Sequence, residues 1–259
     1  MNTLKEQLSL EFHMKDLGEV SSVLGMRVTR DTTKGTIEID QSQYIFDMLN
    51  RFGMSSSNPV ATPIDLNQRL SIEMCPKDET EQHEMSKVPY MQAVGCLLFA
   101  SQITRPDISF AVNLLSRFST NPGKAHWVAV KRVMRYLKGT IYSGIVYSRE
   151  VNDLIGYCDA DWASDLDERR STTGYMFKLQ GGPISWCTRR QRTVALSSTE
   201  AEFMAMTSAI QEATWLIRLQ SELTSVMVKG MVLYCDNKSA IQVALNNSYS
   251  PRNKHVDIK

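Results

Sequence analysis

The sequence lacks several things that would have placed it quickly. No stretch approaches the ~18 consecutive apolar residues of a membrane span, and the N-terminus has no signal-peptide pattern. A soluble, non-secreted chain in the cytoplasm or the nucleus is therefore expected. The five cysteines, Cys75, Cys96, Cys158, Cys187 and Cys235, show no CxxC spacing. That argues against a zinc finger or a disulfide framework and for reduced structural thiols. Charge of one sign is also missing: 29 basic against 28 acidic residues leave a net charge of +1. Any nucleic-acid binding has to come from local patches.

What is present is an ordinary composition, 42% hydrophobic and 22% charged over 259 residues, enough for one large domain or two smaller ones. A helical pattern runs through Leu4, Leu8 and Phe12. Val23–Thr29 and Thr36–Asp40 flank a Gly35-containing turn and predict a hairpin. Ser42–Phe52 carries Ile45, Met48, Leu49 and Phe52 on one helical face and stops at Gly53. Residues 55–89 hold repeated proline signals and read as an irregular linker. Three helical stretches follow, Ala93–Gln102, Pro106–Phe118 and Gly123–Lys138. Three short strands come next, Leu154–Cys158, Gly174–Leu179 and Pro183–Cys187. A long helix, about Thr199–Leu223, has Phe203, Met206, Ile210, Ala213 and Ile217 as its apolar stripe. Met231–Cys235 and Lys238–Asn246 add a strand and a helix. The class is α+β, with a mixed sheet covered by helices in the last section.

Three carboxylates occupy special places in this order. Asp159 ends one strand, Asp236 ends another, and Glu202 lies in the first turn of the long helix. If those strands are neighbours, all three converge on one edge, where a hard divalent cation finds oxygen ligands. Each also fits a structural role. Thr199-Glu-Ala-Glu202 fits a capping box, Asp236 fits a helix cap, and Asp159 fits a turn start.

The motifs Tyr157-Cys-Asp-Ala-Asp-Trp-Ala163, Arg170-Ser-Thr-Thr-Gly-Tyr175, Ile184-Ser-Trp186, Val194-Ala-Leu-Ser-Ser-Thr-Glu-Ala-Glu-Phe203 and Cys235-Asp-Asn-Lys-Ser-Ala-Ile241 together resemble the ribonuclease H domain of Ty1/copia-type retrotransposons. Lys254-His-Val-Asp-Ile258 resembles the segment that follows. Upstream, Lys15-Asp-Leu-Gly18, Leu24-Gly-Met26, Thr104-Arg-Pro-Asp-Ile108 and His126–Thr140 resemble the end of that family's reverse transcriptase and its connecting region.

The resemblance implies three segments. Residues 1–66 would be the palm end of reverse transcriptase, with a primer-grip-like hairpin and helix. Residues 67–150 would be a linker and a thumb- or connection-like helical region. Residues 151–259 would be a ribonuclease H-like domain lacking its last strand, last helix and fourth acid. It implies a two-ion Mg²⁺ site (Mn²⁺ as substitute) on Asp159, Glu202 and Asp236, and hydrolysis of RNA in RNA–DNA hybrids. Glu202 is preferred over Glu200 because Phe203-Met-Ala205 follows it as in the family, and Asp161 is a supporting or loop residue. The Tyr-x-Asp-Asp polymerase motif is absent, so DNA synthesis is not expected.

Hybrid contacts are expected from Arg27, Arg30 and Lys34 on the hairpin, from Lys124, Lys131, Arg135 and Lys138 along an acid-free helix, and from Arg189, Arg190 and Arg192 beside the acids. Each set also fits a solvated surface. Trp162 and Trp186 fit core or sheet positions better than stacking platforms, and His126 and His255 stand isolated. The rival readings are a catalytically dead remnant that at most binds nucleic acid and, less fittingly, an integrase-like nuclease, whose glutamate should follow both aspartates.

Overall fold

The computed structural model describes residues 2–15, 18–65, 67–150, 154–225 and 230–245. The Lys254–Ile258 motif, His255 and the end of the last helix at Asn246 lie outside them, as do Asp16 and Leu17 of the Lys15–Gly18 motif. The described elements are α1 (Asn2–Glu11), β1 (Ser22–Val23), β2 (Met26–Asp31), β3 (Thr36–Asp40), α2 (Ser42–Arg51), α3 (Glu79–Ser86), α4 (Tyr90–Ile103), α5 (Ser109–Ser116), α6 (Lys124–Gly139), β4 (Ile145–Ser148), β5 (Ile155–Asp161), β6 (Thr172–Leu179), β7 (Gly182–Arg190), α7 (Ser198–Thr224), β8 (Val232–Tyr234) and α8 (Lys238–Leu245), with short 3₁₀ turns at Ile72–Met74 and Pro106–Ile108. The protein is a mixed α+β chain with eight helices and two four-stranded sheets among the described residues.

The first sheet runs β1-β2-β3-β4 and is antiparallel throughout. Its hairpin follows the predicted pattern, but the fourth strand does not announce itself. Ile145–Ser148 is too short to carry a period, and its partner Thr36–Ile39 is more than a hundred residues away in sequence. The stretch expected to be an irregular linker also holds the helix α3, capped by Asp78 through the Glu81 amide at 2.8 Å. A single apolar core takes Ile45, Met48 and Leu49 from α2, Leu97 and Ala100 from α4, Val112 and Leu115 from α5, and Val130, Val133 and Leu137 from α6.

Two buried polar groups pin this core. Arg105, 2% exposed, makes a two-pronged pair with Asp107 at 3.0 and 2.7 Å and donates to the Thr140 carbonyl at 2.9 Å. It thereby satisfies the end of α6, which explains the Thr104–Ile108 motif structurally. His126, fully buried, accepts the Gly123 amide at Nδ1 (2.9 Å), and its Nε2 lies 3.2 Å from the Ser71 carbonyl. That pairing requires the neutral tautomer with hydrogen on Nε2. Its ring stacks on Phe118 at 3.9 Å between centroids. Gly123 is required here, because a Cβ would lie 1.8 Å from the Met74 carbonyl oxygen.

The second sheet runs β7-β6-β5-β8, antiparallel except for the parallel β5–β8 pair. The helix α7 covers one face, over Cys158, Phe177 and Leu233. The buried stripe of α7 is Ala201, Ala205, Ala209 and Ala213 with Met206 and Leu216, whereas Ile210 is exposed. Met206 and Ala213 of the expected stripe are buried and Phe203 and Ile217 half-buried, so of that stripe Ile210 alone falls outside the covered face. Small side chains at i, i+4 let the helix settle on the fully buried Phe177. Gly156 permits the same closeness inside the sheet, since a Cβ there would meet Phe177 at 2.5 Å. On the far face, α5 packs against β7, and Trp186 donates its indole N–H to the Ser101 carbonyl at 2.8 Å, tying β7 to α4.

Replacing Arg105 by Ala should cost about 1–3 kcal/mol in urea unfolding, because it leaves the Thr140 carbonyl without its donor and removes a buried side chain. Arg30→Ala, on the exposed side of β2, should stay within about 0.5 kcal/mol.

Burial holds the His126 imidazole below its ordinary pKa, against the opposing pull of the Ser71 carbonyl. The unfolded chain therefore binds a proton there more readily than the folded one. Stability is full above the unfolded value of ~6.5 and falls as pH drops below it. Urea midpoints at pH 7.5 and 5.5 should differ in the wild type, and differ less in His126→Gln.

Candidate metal centre

The parallel register Tyr157↔Tyr234 fixes the geometry of the acids. Two residues beyond that pair stand Asp159, still within β5, and Asp236, just past β8, both near enough to act on the Glu202 carboxyl. Glu202, the fifth residue of α7 and so one turn further along than the first-turn position expected, lies against them. The structural alternatives fall to other residues. Ser197 caps α7 by accepting the Glu200 amide at 3.2 Å, and Glu200 itself accepts the Leu196 amide at 2.8 Å. Asn237, not Asp236, caps α8 by accepting the Ala240 amide at 2.9 Å. Asp159 sits within β5, which continues to Asp161, so it starts no turn.

Glu202 is 6% exposed, and its Oε2 has no hydrogen-bond partner. Burial, and then the neighbouring Asp159 carboxylate, push the Glu202 carboxyl up to about 7; Asp236 adds to the rise and the Ala160 amide opposes it. A buried carboxyl with an unpartnered oxygen between two like-charged groups is unfavourable without a cation. One ligand atom each from Glu202, Asp236 and Cys235 lies within 4.8 Å of the other two. Cys235 was read only as a structural thiol. Its position next to Asp236 was the available signal, but which side of the strand it faces depends on tertiary structure. Cys158 adjoins Cys235, and burial and that neighbour push its thiol up to about 12.

The basic residues divide into two groups. Arg189, near the end of β7, and Arg192, just after it, are exposed, and Arg30 is exposed on the hairpin. Arg190 is committed to Asp165 at 2.9 Å and Glu168 at 3.0 Å. Along α6, Lys124 pairs with Glu84 at 2.6 Å, Arg135 donates to the Asn58 carbonyl and Lys138 to the Ser57 carbonyl at 2.6 and 2.5 Å, and Lys131 lies over Trp127. Arg27 pairs with the buried Asp40 at 2.9 Å, and Lys34 with Asp31 at 3.5 Å. The same paired role falls to Asp165, 2% exposed, which sequence reading passed over: it joins Arg117, just past α5, to Arg190 of β7. Beyond Asp161, a cleft of about 420 Å³ opens between Arg69, Phe110, Trp162 and Arg169. Trp162 is anchored through its indole N–H to the Ala195 carbonyl at 3.3 Å.

Residues 1–66 match the family described as reverse transcriptase (RNA-dependent DNA polymerase). The Pol polyprotein from transposon TNT 1-94 of Nicotiana tabacum is 46% identical over 256 residues, 99% of this chain and 19% of that protein. The Pol polyprotein from transposon RE1 of Arabidopsis thaliana is 38% identical, over 99% of this chain and 17% of that protein. The chain belongs to the Ty1/copia-type retrotransposon Pol family. It spans under a fifth of the Pol polyproteins it matches first. An uncharacterized mitochondrial protein of Arabidopsis thaliana is 36% identical over 88% of this chain and 91% of its own length. No solved structure matches. Among the described residues of this Pol segment, no helix is long and apolar enough to cross a membrane.

Glu202→Gln should raise the unfolding free energy in chelator at neutral pH, by on the order of 1–2 kcal/mol, because it removes an acid held against two others. Thermal unfolding compares the two proteins directly, and an unchanged or lower midpoint would contradict the strained site.

Proposed function

We propose that residues 151–259 form a ribonuclease H-like domain that hydrolyses the RNA strand of an RNA–DNA hybrid. The observation that carries the proposal is the convergence of Asp159 in β5 and Asp236 just past β8 on Glu202 of α7, none of them spent on a cap or a turn. The fold order supports it: three antiparallel strands, a covering helix, then a strand parallel to the first. The earlier segments would then be the end of reverse transcriptase (1–66) and its connecting region (67–150).

The donor set fits a hard cation. It offers three carboxylates, one of them with a buried oxygen that lacks any partner. Asp159, Glu202 and Asp236 would hold Mg²⁺, or Mn²⁺ in its place. Such ions, when bound, supply Lewis acidity toward water and phosphate oxygens. The side chains supply the rest. Glu202, with its carboxyl near 7, gives up its proton as positive charge enters, so affinity falls as pH drops. The exposed Arg189 and Arg192, at the end of β7, would neutralise backbone phosphates without reading sequence. Recognition would use backbone shape and 2′-hydroxyls. The stripe on α6, together with Arg27, Arg190 and Lys34, would reach a duplex only by sharing its present partners.

A labelled hybrid incubated with the full chain and Mg²⁺ tests this. Cleavage should occur and should fall at least about a hundredfold in Asp159→Asn, Glu202→Gln and Asp236→Asn, as expected when a metal ligand worth several kcal/mol is lost. Hybrid binding without cleavage would favour a non-catalytic remnant of the same family.

A further inference from the structure

Cys235 is left unexplained by an all-carboxylate site. It is half-buried and carries a free thiol. Its sulfur lies within 4.8 Å of ligand atoms on both Glu202 and Asp236. An independent feature points to a ligand at the same place: Glu202 is 6% exposed, yet its Oε2 has no partner. Asp236 is exposed, so the cluster is open on one side.

The chemistry of the donors narrows the occupant. Magnesium and calcium take oxygen ligands, whereas sulfur selects softer ions. Three protein ligands from the Cys, Asp and Glu classes with one open side suit zinc, which needs no fixed d-electron geometry and tolerates mixed sulfur and oxygen. The neighbouring Cys158 does not compete for this role. It is 6% exposed, and its thiol is directed to the Tyr234 carbonyl at 3.6 Å.

We infer that Cys235, Glu202 and Asp236 form a three-ligand site for a thiophilic divalent cation of the Zn²⁺ class. The site shares two acids with the hydrolase reading and rests on that acid cluster, but it adds a thiolate and leaves out Asp159. A zinc-class ion and a hard cation therefore contend for Glu202 and Asp236. Low concentrations of the softer ion would displace the harder one and shut off metal-dependent hydrolysis.

The test uses the full, metal-free chain titrated with Co²⁺ as a spectroscopic stand-in for Zn²⁺. A thiolate-to-cobalt charge-transfer band in the near ultraviolet should appear in the wild type, vanish on addition of Zn²⁺, and be absent from Cys235→Ser with an unchanged circular dichroism spectrum. In the unmodified protein, Zn²⁺ should also slow alkylation of Cys235 relative to Cys75, located by mass spectrometry. That second readout needs no variant to fold. Absence of the band in the wild type, its survival in Cys235→Ser, or alkylation of Cys235 unaffected by Zn²⁺ overturns the inference. Cleavage of a hybrid with Mg²⁺ is scored separately. Cleavage without the cobalt band removes the thiolate site and leaves the hydrolase; the band without cleavage removes the hydrolase and leaves the thiolate site.

Discussion

Parallel pairing of β5 with β8 is the constraint on which the candidate site depends. Three carboxylates cannot be gathered by their own attraction, because they repel; rigid backbone must hold them. The register Tyr157↔Tyr234 places two aspartates at one edge, and the close seat of α7 brings the glutamate. That seat depends in turn on alanine at 201, 205, 209 and 213 and on glycine at 156. Each small residue trades side-chain contact for proximity. The repulsion stored among the acids is the kind of local cost that a scaffold tolerates at a functional site.

The layers around the sheet are fastened by charge as well as by apolar contact. Arg105 closes the end of α6, and Asp165 links α5 to β7. His126 links the start of α6 to the Ser71 segment. These groups are buried and paired, so truncating one partner leaves the other stranded. The consequence for function is positional: α5 and β7 carry the far side of the sheet whose near edge holds the acids.

Basic residues show how much a list of charges can mislead. The acid-free face of α6 looks like a phosphate-binding stripe, yet three of its four cations are tied to Glu84 and to the Asn58 and Ser57 carbonyls. Those partners come from segments about 40 to 80 residues upstream. Arg189 and Arg192, at the end of β7, remain exposed.

The sequence by itself determined the α+β class, the hairpin, the α2 face, the strand-and-helix order around the acids and, through its motifs, the family. Those features are local: a period, a turn residue or a short motif carries each. Tertiary structure alone decided the rest. Ile145–Ser148 becomes a strand only because Thr36–Ile39 offers an edge. The phase of α7 is set by what lies beneath it. Glu200 and Asn237 take the capping roles that were open to Glu202 and Asp236, and Cys235 joins the acids because β8 lies parallel to β5. Each of these outcomes rests on contacts between residues distant along the chain, which no local period or spacing encodes.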